Sequence, residues 1–327
     1  MKDIDVLALG ELLIDFTSNG LSEQGNGLFE ANPGGAPCNV LAILNKLGKK
    51  TAFVGKVGND GFGRMLKKTL EDLAINTEGL LCTRALIMDE EVHTTLAFVH
   101  TYPDGDRDFS FYRDPGADVM LTADEVDPEL LKRAKIFHYG TLSMTHDGVR
   151  AATQKAIEIA KADGQLLSFD PNYREPLWKT ADMAKEQISY GLSQCDILKI
   201  SEEELELMTG TADIDEGVKI LWGKHPNIKL FNVTAGGAGS YSFYKDMKAF
   251  QPGFKLGGTI ETTGAGDTFG GAVLDYVLEH DIDALTEDNL NEMLRFANAA
   301  AYLVTTRKGA LRSMPEKEQI DEILANN

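Results

Sequence analysis

Cysteine is scarce in this chain of 327 residues, which has only Cys38, Cys82 and Cys195. An odd, widely spaced set builds neither a disulfide framework nor a zinc site, so each reads as a small apolar residue of the interior. Long apolar runs are also missing, and none approaches the ~20 residues a membrane helix needs. Positive charge is in short supply: 32 Lys and Arg face 51 Asp and Glu, for a formal net charge of −19. That imbalance argues against nucleic acid and anionic membrane as partners, because both reward basic surfaces. It leaves room for a small anionic ligand held by backbone amides and a few well-placed cations. The sequence contains no GxxxxGK followed by Ser or Thr, which excludes a P-loop. Nor does it contain an internal repeat or a low-complexity tract. The N-terminus, "MKDIDVLALGELLIDF", carries Asp5 and Glu11 where a secretory signal would be apolar, so it reads as a first strand and a cytoplasmic protein is expected. Without such a signal, the "NVT" at Asn232 to Thr234 is a chance match to a glycosylation acceptor.

What is present is the rhythm of an α/β protein. From Leu130 onward, apolar strands alternate with amphipathic helices. "AKIFHYGTL", "LLSFD", "DILKIS" and "IKLFNVT" read as strands, and "HDGVRAATQKAIEIAKADG", "ADMAKEQISYGLSQ", "EEELELMTG" and "EGVKILWGK" as helices. This order predicts a mostly parallel sheet with helices on both faces. "AGGAGSYSFY" adds a hairpin. The N-terminal third differs. "DVLALGELLIDF" and "TAFVGKVG" read as strands, and "HTTLAFVHTYPDGDRDFSFYRD" as a hairpin turning at "PDGD". Two insertions, roughly residues 12 to 33 and 86 to 118, are expected to form a small accessory sheet that acts as a lid on a single domain spanning 1 to 327. In the hairpin, Leu96, Phe98, Phe109 and Phe111 fall in alternating positions and could clasp a second copy or cover a site.

One turn calls for a purpose. "ETTGAGDTFGG", residues 261 to 271, lies between "FKLGGTI", which reads as a strand, and "AVLDYVLEH", which reads as a helix. A helix start leaves backbone N–H groups without partners and carries partial positive charge, and glycine lets those amides approach an anion closely. Gly264, Ala265 and Gly266 stand where such amides would point. Asp267 would then sit at the mouth of an anion site, where its chemical use is to accept a proton from an attacking hydroxyl. The plain alternative is an N-cap aspartate. "GNDGFG" superficially resembles a dinucleotide fingerprint, but "INTEGLLCTRAL" after the following helix offers Glu78 and no clear strand end to carry a ribose ligand.

A second stretch gives the turn its context. "NPGGAPCNVLAILNKLG" with "VGKVG", residues 32 to 58, taken with "TTGAGD" and the α/β order, resembles the two signatures of the ribokinase-like (PfkB) sugar kinase family. "FYRDPGAD", "FDPNYREPLW", "LKISEEELELMTG" and "NAAAYLVTTRKGA" are similar to its fructokinase branch. The resemblance covers nearly the whole chain. It implies a three-layer α/β/α fold with a small β-sheet lid, and transfer of the ATP γ-phosphate to a primary hydroxyl of a small sugar, foremost the 6-OH of D-fructose. A 2-keto-3-deoxygluconate kinase and a non-catalytic sugar-binding regulator are the alternatives.

The same resemblance implies roles position by position. Asp15, Gly34, Gly35 and Asn39 would bind sugar hydroxyls. An arginine fork suits phosphate or carboxylate, so Arg174 in "DPNYR" reads as facing the reaction centre, and Arg113 as reaching the sugar from the lid or pairing with surface acids. Asp267 would be the base, and Gly264, Ala265 and Gly266 the anion hole. Glu204 would support Mg²⁺, although Ser201 replaces the asparagine that usually begins that motif. Glu202 and Glu203 read as a solvated helix start. Thr234, Gly236 and Gly239 would lie around the ribose and phosphates of ATP, with Asn298 and Gly309 near the adenine. Glu261 stands where the family usually has aspartate, which places K⁺ activation in doubt.

Overall fold

Short apolar runs bounded by turn residues form the strands, and the longer amphipathic segments between them form helices. The computed structural model describes residues 2–83, 92–101 and 107–327. Its strands are β1 (Ile4–Leu9), β2 (Leu13–Leu21), β3 (Gly27–Gly34), β4 (Thr51–Gly58), β5 (Asn76–Thr83), β6 (Leu96–Thr101), β7 (Arg107–Tyr112), β8 (Ala134–Gly140), β9 (Leu166–Asp170), β10 (Ile197–Ser201), β11 (Leu230–Thr234), β12 (Gly239–Tyr244) and β13 (Met247–Pro252). Its helices are α1 (Ala36–Lys46), α2 (Gly61–Asp72), α3 (Pro128–Leu131), α4 (Asp147–Ala162), α5 (Ala181–Gln194), α6 (Glu202–Thr209), α7 (Ile214–Lys224), α8 (Ala265–Glu279), α9 (Glu287–Thr305) and α10 (Lys317–Asn326). Among the described residues, no helix is long and apolar enough to cross a membrane.

Nine strands form the main sheet in the order β13-β12-β11-β10-β9-β8-β1-β4-β5. Neighbours are parallel except at the β11–β12 and β12–β13 pairs. Side chains alternate between the two faces of a strand. On β1, Val6 and Ala8 enter a core shared with Val40 of α1, Phe269 of α8 and Leu294 of α9. Leu7 and Leu9 enter a second core with Ile157 of α4, Ile188 of α5 and Val218 of α7. The strand order reverses around β1, which pairs with β4 on one side and β8 on the other. In open α/β sheets, the crevice outside the carboxyl ends at such a switch point is where ligands bind.

The second sheet has the order β3-β2-β6-β7, with β2 and β6 parallel. It is built from the two expected insertions and covers that crevice. The run "DVLALGELLIDF" is not one strand: it breaks after Leu9, so β1 serves the main sheet and β2 the small one. The "PDGD" turn lies outside the described residues. The backbone register also divides the four hairpin residues that looked like one apolar face. Leu96 is opposite Tyr112 and Phe98 opposite Ser110, whereas Phe111 is opposite Ala97 and Phe109 opposite Val99. Phe98 stacks on Phe16, which packs edge-on against Phe62 of α2. Phe111 and Val99 instead look into the cavity beneath the sheet.

Two further expectations change. "FKLGGTI" is irregular rather than a strand, because Gly257 and Gly258 both take positive φ, 80° and 77°. The stretch after α2 does form a strand, β5, at the edge of the main sheet. Cys38 and Cys195 are free and buried, as expected of small interior residues.

Candidate active site

The glycine turn leads directly into α8. Gly264 is the residue before the first helical position, with φ 78°, and no side chain caps the helix. The Ala265 amide turns back to the Thr262 carbonyl at 3.3 Å. The N–H groups of Gly264 and Gly266 find no partner among the described residues. A helix start with free amides and a glycine in the left-handed region is suited to an anion.

Asp267 is not the cap of this helix; it lies within the first turn and is 9% exposed. Asn39 Nδ2, from α1, donates to its Oδ2 at 2.8 Å. Burial, reinforced by the negative charge of Asp170, pushes Asp267 up to about 6, although the Asn39 hydrogen bond, Lys199 and Arg174 pull the other way. Asn39 is 4% exposed, and its Oδ1 has no hydrogen-bond partner among the described residues. Since a buried acceptor is rarely left unpaired, this atom marks a place for a ligand donor.

These groups line a cavity of about 480 Å³ between the small sheet and the start of α8. Asp15, Gly35, Asn39, Arg174, Glu204, Glu261, Gly264, Gly266, Asp267 and Gly309 all border it. Asp15 sits deep in the wall. Burial and the charges of Glu261 and Asp267 raise it to about 7, against the pull of Arg174. No described residue donates a hydrogen bond to its carboxylate, so hydroxyl donors from a ligand would be well placed. Gly34 allows that position, because a Cβ there would overlap Asp15 Oδ2. Gly35 has φ 131°, and a Cβ on it would run into the Glu11 carbonyl. The Glu11 carboxylate accepts from Ala36 N at 2.8 Å and so fixes the start of α1.

Glu204 borders the same cavity. Ser201 and Glu204 form a reciprocal cap of α6, with Glu204 Oε2 accepting from Ser201 N at 2.9 Å. Its Oε1 accepts from Tyr173 N at 2.7 Å. Burial raises its pKa. Glu202 and Glu203 are exposed, as a solvated helix start should be. No group of three or more His, Cys, Asp or Glu among the described residues is arranged to grip a metal directly. The donor set suits a hydrated Mg²⁺, which keeps several waters and is held through one or two carboxylates and substrate phosphates. Glu261 accepts from Thr263 Oγ1 at 2.6 Å and from Gly309 N at 3.3 Å, tying the glycine turn to the loop after α9.

Several expected residues lie elsewhere. Arg113 does not face the cavity. It is 5% exposed and gives its donors to Asp118 at 2.8 Å, Thr145 at 3.1 Å and the Leu142 carbonyl at 2.8 Å. Thr234, Gly236 and Gly239 are at the carboxyl end of β11 and in the turn beyond it, outside the cavity lining. Asn298 is also enclosed: its Oδ1 accepts from Ser240 at 2.8 Å and its Nδ2 donates to the Gln251 and Pro252 carbonyls at 3.0 and 3.3 Å. With its amide satisfied by protein, it pins α9 to the β12–β13 hairpin rather than offering itself to a base. Asn298→Ala is expected to cost about 1–3 kcal/mol of stability in urea unfolding, with little change in the KM for ATP.

Two side chains at the centre were not anticipated. Asp170 ends β9, and Lys199 sits on β10, 3.0 Å from it. The available signal was a lysine inside the apolar run "DILKIS", where a strand residue with no partner would be costly.

Known proteins are similar to this chain in architecture and sequence. The family model for the pfkB family of carbohydrate kinases matches residues 3–317. Fructokinase-1 of Zea mays is 42% identical over 322 residues, 98% of this chain and 97% of the relative. A fructokinase from Xylella fastidiosa solved with bound ATP superposes with a TM-score of 0.88 at 30% identity, covering 100% of this chain and 99% of that one. A Vibrio cholerae O395 fructokinase, solved with fructose, ADP and calcium ion, gives a TM-score of 0.85 at 28% identity, covering 99% of this chain and 100% of that one.

Proposed function

Because this chain belongs to the pfkB family of carbohydrate kinases, we propose that it transfers the γ-phosphate of ATP to the 6-OH of D-fructose. The observation that carries the reading is the buried Asp267 carboxylate, oriented by Asn39, beside the uncapped Gly264 and Gly266 amides. The sugar would lie under the small sheet, its hydroxyls donating to Asp15 and to the orphaned Asn39 Oδ1, with Arg174 at the edge of the cavity. Asp267 would orient the acceptor hydroxyl and take its proton. Phosphoryl transfer has a loose transition state, so placement and charge neutralisation matter more than base strength. The amides at the start of α8 would offset charge on the transferred group. Mg²⁺ near Glu204 would supply further neutralisation of the phosphates.

A coupled ADP-release assay across fructose, 2-keto-3-deoxygluconate, ribose and adenosine tests the reading. Fructose should give the highest kcat/KM. A leading response to 2-keto-3-deoxygluconate would reassign the substrate; among the described residues the cavity lining offers that acid Arg174 and Lys199, since Arg113 is committed elsewhere. Fructose binding without ADP release would make the chain a regulator.

The raised carboxylates set a pH dependence. Asp267 must be ionised to accept a proton, so kcat should fall on the acid side through about 6. Asp15 is ionised only above about 7, so fructose KM should rise as pH falls through that value. Initial rates between pH 5 and 9, fitted separately for kcat and KM, check both limbs.

A further inference from the structure

The wall of the cavity holds a buried cation that none of the roles above uses. Lys199 projects from β10 with its ammonium 3.0 Å from Asp170 Oδ2 and 3.2 Å from Oδ1. Its side chain is only 12% exposed and borders the cavity. Its strand neighbours Leu198 and Ile200 are fully buried, so the charge has lost hydration that partners must replace. Asp170 is its only acceptor among the described residues, which leaves spare N–H capacity on a group with three donors. Gly266 leaves room for the ammonium: a Cβ at that position would be 3.0 Å from Lys199 Nζ. The ammonium therefore rests against the stretch of backbone that carries the unpartnered Gly264 and Gly266 amides. Lys56, another deeply set lysine, contrasts with it, since it donates to Glu125 and the Met120 carbonyl and lines no part of the cavity.

The charge balance points the same way. Asp15, Glu204, Glu261 and Asp267 all bring carboxylates to the cavity, and Asp170 stands just behind. A phosphate tail entering here would add negative charge to a wall already rich in it. Arg174 is exposed, which leaves Lys199 as the buried counter-charge at the helix start.

We propose that Lys199 is a catalytic residue whose ammonium binds the phosphoryl group in transit beside the Gly264 and Gly266 amides, and that Asp170 is a positioning residue that holds it there. This rests on the kinase reading above. In the transfer, the bond from the terminal phosphorus to its bridging oxygen breaks, and its electron pair leaves on ADP. The bond from the sugar oxygen to phosphorus forms, and the hydroxyl proton passes to Asp267. Lys199 neither gives nor takes a proton; it offsets charge on the non-bridging oxygens. Burial favours its neutral form, but Asp170, Glu204 and Asp267 outweigh burial and keep it an ammonium.

Lys199→Met keeps the stem and removes the charge. On the full-length chain its kcat should fall about 10²–10³-fold, as for loss of one preorganised donor to the developing charge. Calorimetry should show that the preference for a non-hydrolysable ATP analogue over ADP shrinks, while fructose affinity holds. Lys199→Ala leaves a gap, and added methylammonium should restore part of its kcat; Asp267→Ala should show no such rescue. A folded Lys199→Met that keeps the analogue-over-ADP preference overturns the proposal, as does a Lys199→Ala that ignores the amine. If Lys199→Met does not fold, Asp170→Asn decides: the preference shrinks if the proposal holds, and an unchanged preference overturns it. Wild-type protein that phosphorylates no sugar would overturn the kinase reading instead, and the calorimetric ratio would still judge Lys199.

Discussion

Asp267→Asn should lose about 10²–10⁴-fold in kcat, the range for removal of a positioned general base, while ATP and fructose still bind. The substitution preserves shape, and the new amide oxygen can accept from Asn39 Nδ2 as the carboxylate does at 2.8 Å. What disappears is the ability to take a proton. The fold should become more stable at neutral pH. Wild-type Asp267 is raised to about 6 from 3.8, so the folded protein holds a proton that the unfolded chain has released across that window. Stability from this group is therefore lost as pH rises from about 4 to 6, and the amide removes that penalty. At about 1.4 kcal/mol per pKa unit, the gain is on the order of 2–3 kcal/mol. Isothermal titration for binding, single-turnover kinetics for rate and urea unfolding at pH 7 together check the three parts. A variant with near wild-type kcat would remove Asp267 from the chemistry.

Arg113→Ala should act in the opposite manner, with a large loss of stability and little change in fructose KM. Arg113 follows β7, and its guanidinium joins Asp118 with the Leu142 carbonyl and Thr145 beyond β8. Asp118 in turn accepts from Thr95 just before β6. Removing the arginine would leave Asp118, 3% exposed, as an unpaired buried charge. Breaking one side of such a pair costs about 3–5 kcal/mol, which urea unfolding would resolve. Because the network ties the base of the small sheet to the main one, the cost should fall on their attachment. A steep rise in fructose KM without loss of stability would return Arg113 to the sugar.

These two arginine and aspartate cases show where sequence was informative. Elements with a strong period and clear punctuation were legible almost to the residue: "LLSFD" is β9, "ADMAKEQISYGLSQ" is α5, and "TAFVGKVG" is β4. The glycine turn was legible because an unpartnered helix start, a left-handed Gly264 and a nearby acid are all local features. "FKLGGTI" failed because consecutive glycines with positive φ cannot hold a strand. Arg113 and Asn298 were harder for a different reason. A guanidinium or an amide fits a ligand and an internal partner equally well, and the partners that claim them, such as Asp118 or the Gln251 carbonyl, are settled only by packing. Lys199 hid in the same manner, as one charged residue within a strand.

The bond between Asn39 and Asp267 spans 228 positions of the chain. A polypeptide emerging from the ribosome therefore carries Asn39 long before it carries the carboxylate that Asn39 holds, and the burial that raises that carboxylate comes later still, when α8 docks on α1. With Asp267 as the proposed base, partly synthesised or misassembled molecules would transfer no phosphoryl group, so turnover itself would report that both ends of the chain have found each other.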